Sequence, residues 1–344
     1  MRHLILEPKT GDTTMKTTRR STLNCLVACG ATLLASAWSL PAAAQGAWPS
    51  KPVHLVVPFA PGGSTDVIAR MMAQKLGEMW GQTVLVDNRA GAGGNLGADI
   101  VAKSPADGYT LLFASGSITI NPEIYKRMPF DTKKDLVPVT NVASGPMLVV
   151  VPDDSPAKTL KDLIAMAKVK PGSVNFGSAG VGSQVHLAGE NFANAAGIDI
   201  THVPYKGEAP AYTDLMGHQT QMMVGNFAAA SALLGKGRLR ALAVTGKERS
   251  PLLPNVPTAS ESGLPGFENT GWFGLLAPAG TPAAVIDKVH RDCVKALAST
   301  DIKARLYVQG MTPVGNTPAQ FAKQMDEETK HWATVVKNRK LTTN

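Results

Sequence analysis

From Trp48 onward, short apolar runs alternate with amphipathic stretches, and glycine-rich loops separate many of them. Residues 53–57 are continuously apolar, as in a strand buried on both faces. Val67, Ile68, Met71, Met72, Leu76 and Met79 then follow at helical spacing. Residues 83–86 and 109–113 read as further strands, with a short helix through Ile100 and Val101 between them. Alternating strands and helices predict a parallel sheet with right-handed crossovers.

The pattern changes after Ser115. A polar segment with turns at Asn121-Pro122 and Met128-Pro129-Phe130-Asp131 precedes the apolar run 147–151, which reads as a crossing into a second lobe. There the pattern predicts a helix over 160–169, a strand over 173–176, a helix over 184–196 and a strand over 200–203. A helix at 211–216, a strand at 221–224, a helix at 226–234 and a strand at 239–244 complete the second lobe. The stretch 250–268 is rich in Pro, Gly and Ser and reads as an irregular excursion. Residues 271–277 form the expected return crossing, after which Pro282 and Pro318 open helices running to Ala298 and Val336. The expected architecture is two α/β lobes joined by two crossing strands, with a ligand cleft between them. Lobe 1 takes 45–146 and 275–344, and lobe 2 takes 147–274. Ligands of such sheets bind at the carboxyl ends of strands. Loops 58–66, 87–95 and 115–121 of one lobe should therefore face loops 177–183, 204–208 and 225–227 of the other.

The first 44 residues stand apart. A basic segment from Lys16 to Arg20, an apolar run over 23–40 and Ala42-Ala43-Ala44 before Gln45 read as an export signal cleaved after Ala44. Arg19-Arg20 leaves the Sec and twin-arginine routes both open, and Met15 competes with Met1 as the start. The remaining chain carries 29 basic and 24 acidic residues, a net charge of +5 against +8 for the whole sequence. Its basic residues are scattered without interleaved aromatics, which argues against nucleic-acid binding, while a mild positive field favours anionic small molecules. At 344 residues and 44% hydrophobic content the chain can build two globular units. Cys25 and Cys29 leave with the signal, so Cys293 has no partner for an internal disulfide and reads as a buried apolar residue.

Candidate chemistry sits in two glycine loops. Pro58-Phe59-Ala60-Pro61-Gly62-Gly63-Ser64-Thr65-Asp66 joins the first strand to the first helix. Its prolines preset φ, its glycines permit a tight path, and Ser64 or Thr65 can cap the helix. Spare amides at such a helix N-terminus suit an anion. Gly177-Ser178-Ala179-Gly180-Val181-Gly182-Ser183 repeats the device in the second lobe. Asp66, in the first helical turn, is expected to fix its loop rather than to touch an anion.

Rival chemistries find less support. His186 and Glu190 lie one turn apart, yet no second His or Cys stands at metal-ligand spacing, and His54, His202, His218, His290 and His331 form no cluster along the sequence. Gly180-Val181-Gly182 approaches a dinucleotide fingerprint, but Val185 replaces its third glycine. The loop lacks a P-loop lysine, and no GxSxG elbow occurs. Neither a catalytic residue nor a metal or other cofactor is expected. The alternatives that stay open are an exported enzyme acting on a carboxylate or ester in the same cleft, and a ligand-sensing subunit for a signalling partner.

The stretches PFAPGGSTD (58–66), NRAGAGG (88–94), INPEIYKRMPFD (120–131), GSAGVGSQVHLAGE (177–190), VPYKG (203–207), PTASESGLPGF (257–267) and WFGLLAPAGTP (272–282) resemble the receptor family of tripartite tricarboxylate transporters, the Bug extracytoplasmic solute-binding proteins. The resemblance implies a type II periplasmic binding-protein fold that closes on a small carboxylate and delivers it, as a monomer, to membrane permease subunits. It also implies that one ligand carboxylate is held between the two glycine loops by amides, hydroxyls and water. Carried over by position, Gly62, Gly63, Ser64, Thr65 and Asp66 match the first loop. Ser178, Ala179, Gly180, Gly182 and Ser183 match the second, and Phe59, Ser115, Tyr205 and Asn226 complete the candidate ligand set. Gly225 departs from the family pattern, standing where an acidic residue often precedes the Asn.

Overall fold

The computed structural model describes Gly11, residues 48–339 and Leu341. The expected export signal, Gly11 apart, lies outside the described residues. From Pro49 the chain forms one unit.

Its first lobe opens with β1 (Val53–Val57), α1 (Ser64–Trp80), β2 (Val84–Asn88), a 3-10 turn at Ala92–Gly94, α2 (Asn95–Ala102) and β3 (Thr110–Ser115). Then come α3 (Ser117–Ile124), α4 (Thr132–Asp135) and the long strand β4 (Leu136–Pro152). The second lobe adds α5 (Leu160–Val169), β5 (Asn175–Ser178), α6 (Gln184–Ala196), β6 (Thr201–Pro204), α7 (Glu208–Met216), β7 (Met223–Asn226), α8 (Phe227–Leu234) and β8 (Leu239–Val244). β9 (Thr270–Pro278) leads back to α9 (Ala283–Ala298), α10 (Thr300–Val308), β10 (Thr312–Pro313) and α11 (Pro318–Arg339).

The first-lobe sheet runs β10-β4-β9-β3-β1-β2. β1 pairs in parallel with β2 and β3, but β9 runs antiparallel to both β3 and β4. β5 and β6 are parallel, whereas β7 and β8 pair antiparallel to the second half of β4. The purely parallel expectation is thus corrected to mixed sheets, because the crossing strands run against the βαβ units they join.

β4 also corrects the expected crossing. The strand begins at Leu136, well before residue 147; its first part, to Pro146, pairs with β9, and Met147 to Pro152 pair with β7 and β8. Pro138, Asn141, Gly145 and Pro146 interrupt the apolar pattern of the first part, which explains why it does not read as a strand from sequence. The expected polar segment after Ser115 is likewise α3, with Pro122 inside the helix.

Local chemistry fixes the helix ends. Thr159 and Asp162 form a reciprocal capping box at the start of α5. Ser183 caps α6 by accepting from the His186 amide, and Gly197 ends that helix in the left-handed region. α1 differs from expectation: its N-cap is Gly63, and neither Ser64 nor Thr65 makes a side-chain cap. Phe176, Phe192 and Phe227 are buried in the second-lobe core, and Trp272 and Phe321 meet edge to face in the first. Each such aromatic contributes about 1.5–3 kcal/mol through burial. Cys293 is buried and free, as expected, and burial pushes its thiol pKa up.

Candidate functional site

The first glycine loop is held from within. Asp66 is buried; its Oδ2 accepts from the Gly62 amide at 3.0 Å and from Arg70 Nε at 2.9 Å, and its Oδ1 accepts from Asn88 Nδ2 at 2.9 Å. Burial alone would raise its pKa, but the bonds from Arg70, Gly62 and Asn88 outweigh it and hold the carboxyl below its ordinary value. Asp66 fixes the loop, as expected. Among the described residues, the amides of Gly63 and Thr65 make no hydrogen bond.

The second loop divides its residues between two tasks. Ser183 and Ala179 line the cleft. Ser178 does not: it is fully buried, accepts from the Gly180 amide at 3.0 Å and lies 2.6 Å from His202 Nε2. Gly182, with φ +79°, packs where a Cβ would run into Asn121 Oδ1, so the position demands glycine for both conformation and space.

Two of the histidines that lie apart in the sequence meet here. His186 and His202 stack with ring centroids 3.9 Å apart, and Phe176 stacks on His202. Burial lowers the His186 pKa to about 3, helped by His202, and that of His202 to about 4. Both rings are neutral at physiological pH. Ser178 and His202 have the separation of a nucleophile and its base, yet Ser178 is fully buried and the imidazole packs against the rings of Phe176 and His186. The pair locks β5 to β6.

Between the loops lies a cavity of about 10 Å³, the space of roughly one water molecule. Phe59, Gly63 and Thr65 line it from the first loop, Ser115 and Ser117 from the end of β3 and start of α3, and Ala179, Ser183, Gln184 and Val185 from the second loop and α6. Glu208 and Asn226 complete it. Among the sequence candidates, Phe59, Gly63, Thr65, Ser115, Ala179, Ser183 and Asn226 therefore converge, while Gly62, Ser64, Asp66, Ser178, Gly180 and Gly182 support the walls. Tyr205, with Gly180, lines an outer groove of about 680 Å³ that also borders Gly93 and Val181, and its hydroxyl donates to Asp214 at 2.8 Å.

Ser117, Gln184, Val185 and Glu208 were not singled out from the sequence, although loops 115–121 and 204–208, which hold the first and last of them, were expected at the cleft. Gln184 ties the lobes together: its Oε1 accepts from the Gly116 amide at 3.1 Å, its backbone amide donates to Ser117 Oγ at 3.2 Å, and its Nε2 donates to Asn226 Oδ1 at 3.0 Å. Glu208, at the first position of α7, is 4% exposed. Its Oε2 accepts from the Ser64 amide at 2.9 Å, and its Oε1 accepts from the Asn226 amide and from Asn226 Nδ2, each at 2.9 Å. Burial raises its pKa against the opposing effect of those donors. Ser64 Oγ in turn accepts from the Ala229 amide at 2.9 Å. The helix starts of α1, α7 and α8 thus converge around one carboxylate belonging to the chain itself. Beside it, a Cβ at Gly225 would overlap the Tyr212 hydroxyl, so an acidic side chain at that position has no room.

Two α/β lobes meeting over a polar cavity built from facing loops define a solute-binding protein of the periplasmic type. The family model described as "Tripartite tricarboxylate transporter family receptor" matches residues 68–341, and the chain belongs to that family. It is 41% identical over 292 residues to Protein BugT of Bordetella pertussis, covering 84% of this chain and 90% of that protein. The R. palustris protein Rpa4515, solved with adipate, is 37% identical with a TM-score of 0.82, over 85% of this chain and 98% of that one. The periplasmic binding protein BugD is 33% identical with a TM-score of 0.83, over 86% of this chain and 100% of that one. The family is one of solute-binding receptors rather than enzymes. Among the described residues no helix is long and apolar enough to cross a membrane, and no group of three or more His, Cys, Asp or Glu could hold a metal ion.

Proposed function

We propose that this receptor captures a small carboxylate in the periplasm between its two lobes and, as a monomer without a cofactor, delivers it to the membrane permease subunits of a tripartite transporter. The observation that carries this reading is the cavity, where free amides at Gly63 and Thr65 meet the hydroxyls of Ser115, Ser117 and Ser183. Such donors suit a carboxylate and need no cation. The adipate found with the R. palustris relative supports the same ligand class. The export signal is removed by cleavage after Ala44 once it has directed the chain across the membrane.

A cavity the size of one water admits a ligand when the lobes part. The bending points are Pro146-Met147, where β4 exchanges β9 for β7 and β8, and the start of β9 near Thr270. The ligand favours the closed state because both lobes contact it there. A thermal-shift screen against a carboxylate library tests the reading. A carboxylate at about a hundredfold its Kd should stabilise the protein by roughly 2.7 kcal/mol. A library that leaves the melting temperature unmoved would refute it.

A further inference from the structure

We infer that a groove of the first lobe is a second binding site, separate from the cleft, for a small organic ammonium ion carried on an apolar body. α3, α4, the start of β4 and α11 enclose a cavity there of about 530 Å³. Small-molecule pockets of roughly 300–1,000 Å³ bury most of their ligand's surface, so the groove has the size of such a site. It shares no lining residue with the interlobe cavity. The inference stands apart from the carboxylate-receptor reading.

Met128, Phe130, Leu136, Pro138 and Met325 form the apolar wall. Its methionines can adjust to ligands of varied shape. The polar groups decide the sign of the ligand, and most of them are already committed. Lys133 Nζ lies 2.6 Å from Asp326 Oδ1, an ion pair that spans from α4 to α11. Asp131 caps α4 by accepting from the Lys133 and Lys134 amides, and it pairs with Lys134 Nζ at 3.0 Å. The Thr119 hydroxyl donates to Glu328, and that of Thr329 donates to the Met325 carbonyl. Two lining groups stay uncommitted among the described residues: the Glu123 carboxylate, with no ion pair or hydrogen bond, and Thr132 Oγ1, buried without a partner.

A carboxylate only accepts, and a free hydroxyl accepts as readily as it donates. An ammonium supplies several donors, and its charge is complementary to that of Glu123. An anionic head would face Glu123 with no free cation beside it, because Lys133, the one base among the lining residues, is spent on Asp326. A neutral head would leave the charge of Glu123 unanswered. α3 links the groove to the cleft. Its first residue, Ser117, lines the cleft and accepts from the Gln184 amide, while Thr119, Pro122 and Glu123 line the groove. An occupant of the groove therefore touches an element through which the lobes meet.

Calorimetry with hexylammonium and phenethylammonium, each against the alcohol of the same carbon skeleton, tests the site. Neutral rather than carboxylate comparators keep the cleft silent. The ammonium ions should bind at least about tenfold more tightly than hexanol and phenethyl alcohol. Glu123→Gln, at a half-buried position, should bring that ratio close to one. Ala322→Phe, on the face that α11 turns to the groove, should fill the cavity and abolish binding of all these probes. Wild-type protein that binds neither ammonium ion, or binds each no better than its alcohol, overturns the inference. So does a preference that survives Glu123→Gln, or binding that survives Ala322→Phe, since either places the ammonium elsewhere. The comparison of wild type with Glu123→Gln decides the matter even if Ala322→Phe fails to fold. Carboxylate binding in the cleft is a separate measurement, so its failure and the failure of this site are told apart.

Discussion

At the scale of single residues, the site separates groups that reach into the cavity from groups that hold its walls. Ser183 does both, lining the cavity and capping α6. Ser183→Ala should cost about 1 kcal/mol of stability through the lost cap and should also weaken carboxylate affinity. Urea unfolding and calorimetry on the same variant separate the two effects, and full affinity would remove Ser183 from the ligand shell. The glycine loops were legible because Pro, Gly and hydroxyl residues at a strand-to-helix junction have few other uses. Which of their residues point inward was not, since Ser178 and Ser183 look alike in sequence while one is sealed against His202. Glu208 was illegible for a further reason. An isolated Glu after a Lys-Gly pair reads as a solvated helix start, and its burial depends on Ser64 and Asn226, which lie far from it along the chain.

Among the elements, α11 carries an unusual burden. Its Glu328 is half-buried, and its Oε2 accepts from Trp272 Nε1 at 2.6 Å and from Thr119 Oγ1 at 3.0 Å. Burial pushes the Glu328 pKa up to about 7, against the pull of those two donors. Because the folded-state value lies above the ordinary 4.5, folding takes up a proton between the two. That stabilisation is complete below pH 4.5 and is lost as the pH rises through 7. Glu328→Gln should flatten the dependence of melting temperature on pH across this window, with a relative gain of up to about 3 kcal/mol at pH 8. A pH profile parallel to that of the wild type would sink the assignment. Element boundaries were legible where a period and its punctuation agreed. α5, α6 and β8 follow the apolar pattern to the residue, helped by Thr159, Ser183 and Gly197 at the helix ends. α10 was hidden because it follows α9 after the single residue Ser299. The first half of β4 was hidden because its prolines and polar residues are tolerated through pairing with β9, a tertiary effect.

For the molecule as a whole, closeness of the lobes depends on positions with no side chain. Gly93, at φ +61°, lies so near the Val181 carbonyl that a Cβ would overlap its oxygen, while Tyr125 OH donates to the same oxygen at 2.9 Å. Gly93→Ala should hold the lobes apart and weaken ligand affinity by at least about tenfold, a cost in the range of strained left-handed backbone plus overlap. In X-ray scattering the variant should fail to contract with ligand; normal contraction and wild-type affinity would show that this contact does not govern closure. The sheet order carries a different consequence, for the order of assembly. β9 lies between β3 and β4 in the first-lobe sheet, although its residues follow the entire second lobe in the chain. A chain ending before Thr270 leaves the facing edges of β3 and β4 unpaired, and such edges invite association with other chains. The lobe that begins first is therefore completed last, and during synthesis its sheet waits for the other lobe to pass before it can close.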